Sequence, residues 1–209
     1  MKMKPGFKQA LLVAATFVIL LWAIEILDRA LNLNLYHLGV YPREPAGLFG
    51  ILYAPLIHST WNHLLSNSFA LLVLGTALVY GYPRSTMPVF LIVYFCSGIC
   101  VWLFARQSYH IGASGLAHGM MFFIFTIGIL RRDRLSIALA MIVFFVYGGM
   151  IWSIFPQEPR ISYESHFFGA VVGVLAAFLF KSRDPSLPEK EYQWEHEAAE
   201  VSDETDDRE

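Results

Sequence analysis

The chain has 209 residues, of which 56% are hydrophobic, with a mean hydropathy of +0.50. Its 15 basic and 17 acidic residues gather in short clusters between long apolar runs, a membrane composition that leaves no room for a separate soluble domain. The net charge of −2 says little as a sum, because acidic residues collect at the C-terminus and basic ones beside the apolar runs, and nothing in the balance points to a nucleic-acid partner.

A bilayer core of about 30 Å takes about 20 helical residues to cross, and six segments of that kind follow one another. The first runs from about Phe7 to Leu27. Its basic start resembles a signal peptide, but it is long, lacks small-residue cleavage spacing and runs on into Glu25 and Asp28, so an uncleaved span is expected. A loop from Asp28 to Thr60 mixes Asn, Pro and Gly with Leu, Tyr and Phe, which suits a segment lying partly in the membrane interface. Further spans are expected at about 61–80, 87–104, 114–130, 135–155 and 165–180, the second ending at the breaker Gly81-Tyr82-Pro83-Arg84. Cys96 and Cys100, four apart in an apolar run, share one helical face and read as packing residues. Residues 1–181 are thus expected to form the membrane domain. Residues 182–209 are expected to form an acidic, disordered tail, with a short surface helix from Glu189 to Val201.

Six spans put both termini on one side. With the N-terminus inside, the inner segments hold Lys2, Lys4, Lys8, Arg84, Arg131, Arg132, Arg134, Lys181 and Arg183, against Arg29, Arg43, Arg106 and Arg160 outside. The positive-inside rule therefore predicts cytoplasmic termini, and a bacterial inner membrane is the expected location.

Ionisable and polar side chains within a membrane are costly and mark function. Here His58, His63 and Asn67 open the second span, His110, Ser114 and His118 the fourth, and His166 the sixth, so residues distant in sequence share the outer half of the membrane. Ser114 lies in Gly112-Ala113-Ser114-Gly115, where a polar loop turns into a helix; by itself such a serine reads first as an N-cap, and the motif alone is weak. Gly115 and Gly119 on the fourth span, and Gly169 and Gly173 on the sixth, form two small-residue faces able to pack closely. That contact would bring the His166 imidazole to the Ser114 hydroxyl, as a nucleophile and its base require. His63 and Asn67, spaced i,i+4, share one helical face and can donate to an oxyanion together with the Ser114 backbone N–H; either alone reads equally as an interhelical hydrogen bond. His58, Ser59, Asn62 and His63 are expected to line an outward-facing polar cavity that admits water.

The set His63-Leu64-Leu65-Ser66-Asn67, Gly112-Ala113-Ser114-Gly115 and His166-Phe167-Phe168-Gly169 with Gly173, each at the outer end of an even-numbered span, resembles the rhomboid family of intramembrane serine proteases over about residues 55–180. The resemblance implies an all-α bundle of six transmembrane helices. It also implies a Ser114–His166 dyad without an acidic third member, an oxyanion site from His63, Asn67 and Ser114, no cofactor and no metal. Gly112, Gly115, His118, Gly169 and Gly173 would support the site. The substrates would be transmembrane segments of other proteins, cut near their outer end on the periplasmic side.

Two departures stand out. Many members carry a Trp-Arg pair where this chain has Phe49-Gly50, and they place an aromatic residue, commonly tyrosine, where it has His118. The His118 ring can stack on or bond to His166, or be a satisfied helix-contact histidine. Glu164 reads as an interfacial loop residue or as one orienting His166. Competing functions are an inactive rhomboid-like protein that binds membrane proteins, or a metal or haem protein using His58, His63, His110, His118 and His166.

Overall fold

The structure, a computed structural model, describes residues 5–156 and 161–185. Arg160 and the expected helix from Glu189 to Val201 lie outside the described residues.

Six helices are long and apolar enough to cross a membrane, and no strand occurs among the described residues. They are α1 (Phe7–Leu31), α3 (Trp61–Gly81), α4 (Thr86–Phe104), α5 (Ser114–Arg131), α6 (Arg134–Tyr147) with its 3₁₀ continuation Gly148–Ile154, and α7 (Tyr163–Phe180). A single-turn helix, α2 (Gly50–Tyr53), lies between α1 and α3. The helix boundaries follow local chemistry. Asn32 closes α1 in the left-handed region, at φ 50°. Thr60 caps α3 by accepting from the His63 N–H at 3.1 Å, and Asp133 caps α6 by accepting from the Ser136 N–H at 3.1 Å. The fifth span, expected as one helix to Phe155, instead leaves α-geometry at Gly148-Gly149, where two glycines cost the most backbone entropy.

α5 is the central helix. It buries Leu116, Ala117, Met120, Met121, Phe123, Ile124 and Ile127, while α1, α4 and α6 turn most of their surface outward to lipid. Cys96 and Cys100 are free and lie on that outward surface rather than in the core, Cys96 exposed and Cys100 half-buried. The largest interhelical contact joins α5 to α7. It is close because it is glycine on glycine: a Cβ on Gly169 would collide with the Gly115 carbonyl oxygen, and one on Gly173 with that of Gly119.

The loop between α1 and α3 is built from 3₁₀ turns at Leu35–Leu38, Pro45–Phe49 and Ala54–Leu56 around α2. Gly47 packs on the backbone of Tyr41, and Gly50 on that of Gly39 and Val40. Leu48, Phe49, Leu52 and Tyr53 point outward, as expected of a segment resting in the interface.

At the opposite end of the bundle, Asp184 is 5% exposed and caps α4 from outside the helix. It accepts from Arg84 N at 2.7 Å, Ser85 N at 3.1 Å and Ser85 Oγ at 2.5 Å, and its own carbonyl accepts from Arg131 Nη1 at 2.8 Å. The first residues assigned to a solvated tail are therefore packed against two interhelical turns, because a buried carboxylate there accepts from the N–H groups at the start of a helix.

Candidate active site

The loop preceding α5 makes its turn at Gly112, whose φ of +104° is open only to glycine. The Gly112 N–H donates to the Ala54 carbonyl at 2.8 Å. A methyl group there would lie 2.6 Å from His63 Nε2, so the His63 ring rests directly on the glycine backbone. Ser114 then opens α5, and Ala113 at the N-cap supplies no side-chain acceptor, which leaves the first N–H groups of a central helix facing the site.

Ser114 Oγ is 2.9 Å from His166 Nε2. The far side of the same ring decides which atom carries the proton: His166 Nδ1 is 3.0 Å from the Ser153 carbonyl oxygen, which can only accept. The Nδ1 nitrogen is therefore the protonated one. In the neutral ring Nε2 is left as acceptor, facing the Ser114 hydroxyl, as a general base must be.

Across Gly112 stand His63 and Asn67. Asn67 is 5% exposed, and its Nδ2 has no hydrogen-bond partner. It lies 3.5 Å from where a Gly112 side chain would be, so a buried donor stands unused beside the turn that leads into Ser114. His63 Nδ1 is 3.4 Å from Ser59 Oγ; a hydroxyl donating there places the ring proton on Nε2, the nitrogen that faces Gly112. Among the described residues no group of three His, Cys, Asp or Glu side chains is arranged to hold a metal ion.

A sequence model of the rhomboid domain matches residues 45–183. The chain belongs to the rhomboid family. An uncharacterized protein of Mycobacterium tuberculosis is 34% identical to it over 176 residues, covering 80% of this chain and 73% of its own. An uncharacterized protein of Mycobacterium leprae is 31% identical over 176 residues, covering 80% of this chain and 70% of its own. This is accordingly a multi-pass membrane protein of a protease family.

Several polar residues of this rhomboid lie elsewhere than the sequence reading places them. His58 is 3% exposed with neither ring nitrogen bonded, its ring edge-on to His63, whereas Ser59 and Asn62 are on the surface. His110 belongs to a staple. Its backbone pairs with Val40, Nδ1 meets Ser162 Oγ at 2.6 Å, and Nε2 donates to the Arg106 carbonyl at 3.0 Å, tying three outer loops together. Glu164 is in the first turn of α7 rather than in a loop. It is buried and turned toward Arg106, with Oε1 3.6 Å from Nε, so its ion-pair partner is Arg106 and not His166.

His118 resolves to both of its alternatives. Its ring stacks on His166 at 4.1 Å between centroids and 9° between planes, while Nδ1 donates to the Ser114 carbonyl at 2.7 Å. In the loop between α1 and α3, Arg43 Nη1 donates to the Ala105 carbonyl at 2.8 Å, and Trp102 Nε1 to the Glu44 carbonyl at 2.9 Å. Ser153 escapes sequence reasoning altogether, because its contribution to His166 is a carbonyl, which every residue has.

Proposed function

We propose that this rhomboid protein is an active intramembrane serine endopeptidase, with Ser114 as nucleophile and His166 as its base. The observation that carries the reading is the 2.9 Å contact of Ser114 Oγ with His166 Nε2, on a ring whose Nδ1 proton is held by the Ser153 carbonyl. Ser114 attacks a peptide carbonyl as His166 takes its proton. The oxyanion that forms is met by Asn67 Nδ2, His63 Nε2 and the Ser114 N–H, and His166 returns the proton to the leaving amine. Water, activated by the same ring, then releases the acyl group.

Intact helices shield their backbone by internal hydrogen bonds, so the substrates are transmembrane segments with residues that weaken the helix near the cut. The basic residues cluster at the end opposite the site, which supports cytoplasmic termini and a site facing the periplasm.

The test is labelling of purified protein in detergent with a fluorophosphonate probe. Wild type is expected to label, and Ser114→Ala and His166→Ala are not. A wild type that stays unlabelled where a related active protease reacts would move the protein to the inactive, protein-binding members of the fold.

A further inference from the structure

His166 is held by a segment attached to the rest of the bundle by polar contacts as well as by the apolar packing of Met150 and Ile151. Ser153 lies in the 3₁₀ stretch Gly148–Ile154, which has no fully buried residue and continues the least buried of the six spans. In a 3₁₀ helix the Ser153 carbonyl would accept from the N–H three residues on, but that residue is Pro156, which has none. The carbonyl is thereby free for His166 Nδ1, at 3.0 Å. The hydroxyl of the same serine is 2.8 Å from His118 Nε2 and 2.7 Å from the Met150 carbonyl. His118 is 2% exposed, and its other nitrogen is committed to the carbonyl of Ser114. One residue of the fifth span is thus gripped by both stacked rings, its carbonyl by His166 and its hydroxyl by His118.

We propose that His118 and Ser153 form a positioning pair: the His118–Ser153 hydrogen bond holds the 3₁₀ end of the fifth span against the site, so that the Ser153 carbonyl keeps His166 in the tautomer with Nε2 free for Ser114. This rests on the reading of Ser114 and His166 as nucleophile and base. His118 Nδ1–H donates to Ser114 O, His166 Nδ1–H donates to Ser153 O, and His166 Nε2 accepts from the Ser114 hydroxyl; the single Ser153 hydroxyl proton is shared between His118 Nε2 and the Met150 carbonyl. Displacement of the fifth span would remove the acceptor from His166 Nδ1 and let the ring proton move to Nε2, where it blocks general-base action. The base is then armed only when the end of that span is seated.

The experiment compares full-length wild type with Ser153→Ala, which deletes the hydroxyl and keeps the carbonyl, and His118→Phe, which keeps a stacking ring and deletes both nitrogens. The double variant and Ser153→Thr, which retains a hydroxyl, complete the set. Fluorophosphonate labelling rates are read beside the ¹⁵N resonances of His166 in histidine-labelled protein, with thermal melts in detergent to verify folding.

Each single change is expected to slow labelling about tenfold, with the double variant no slower than the worse single, as for two ends of one interaction. Ser153→Thr is expected to return to within about twofold of wild type, and Ser153→Ala to lose part of the His166 Nδ1–H population. Should His118→Phe fail to fold, Ser153→Ala and Ser153→Thr carry the test, since Ser153 is only half-buried. Effects that multiply in the double variant, or slowed labelling with the tautomer unchanged, would overturn the pairing while leaving the dyad intact. Single variants that label at the wild-type rate would do the same. An unlabelled wild type would overturn the dyad instead; the ¹⁵N spectra would still decide the pairing, which fails if Ser153→Ala leaves His166 as it was.

Discussion

As the proposed nucleophile, Ser114 needs three things from its neighbours: a base in the correct tautomer, donors for an oxyanion, and a backbone turn that exposes its hydroxyl. Each comes from a different element. The turn is Gly112, the base is held by a carbonyl of the fifth span, and the side-chain donors come from the second span. Asn67 is the sharpest of these, because a buried amide with an unbonded Nδ2 is a standing cost of about 1–3 kcal/mol unless something occupies the space before it. An oxyanion is the occupant that the proposed chemistry provides. Asn67→Ala is expected to lower the second-order labelling rate about 10²-fold, with a melting temperature no lower than wild type. Loss of both together would mean that Asn67 serves the fold and not the oxyanion.

The element that makes the site possible is the α5–α7 pair. Its two helices approach until carbonyl oxygens sit where side chains would be, and that distance alone lets a histidine of one reach a serine of the other with short side chains on both. A side chain at Gly169 has no flexible neighbour to displace, since the obstacle is the Gly115 backbone. Gly169→Val is expected to destabilise the protein by about 3 kcal/mol and to move the His166 ring away from Ser114. The measurement is the melting temperature together with labelling. A stable protein that labels normally would show that the interface is not set by the glycines.

Across the whole molecule, the polar groups buried outside the spans give the stability a pH dependence with a definite sign. Burial lowers the pKa of His58 from 6.5 to about 3, helped by the neighbouring His63 and opposed by a backbone contact with Leu56; burial likewise lowers that of His110. Both are neutral in the folded chain and free to protonate in the unfolded one. Their contribution is therefore present above pH 6.5 and is lost as the pH falls below it. Burial alone would raise Asp133, but hydrogen bonds from Ser136 and Arg131 bring it below its usual 3.8, so its contribution is lost only at still lower pH. Wild type is expected to lose about 2–3 kcal/mol of stability to His58 between pH 6.5 and 4.5, seen as a falling melting temperature in detergent. His58→Leu should flatten much of that slope, leaving the part due to His110. An equal slope in both proteins would remove His58 as its source.

By itself the sequence determined that this is an all-α membrane protein of six spans, because apolar runs long enough to cross a bilayer are a local property of the chain, and so are breakers such as Gly81-Tyr82-Pro83. It also set His63, Asn67, Ser114 and His166 at one depth, since depth follows from counting residues from the span ends. What counting leaves open is which atoms meet. The sequence cannot place Ser153 beside His166, or turn Glu164 toward Arg106, because those outcomes depend on how far helices rotate and how closely they approach. Likewise, only the packed bundle decides that Asp184 folds back under α4 and that His58 is buried while Ser59 is not. Those are matters of a few ångströms between segments far apart in sequence, where each hydrogen bond forms only if every other helix is already in its place.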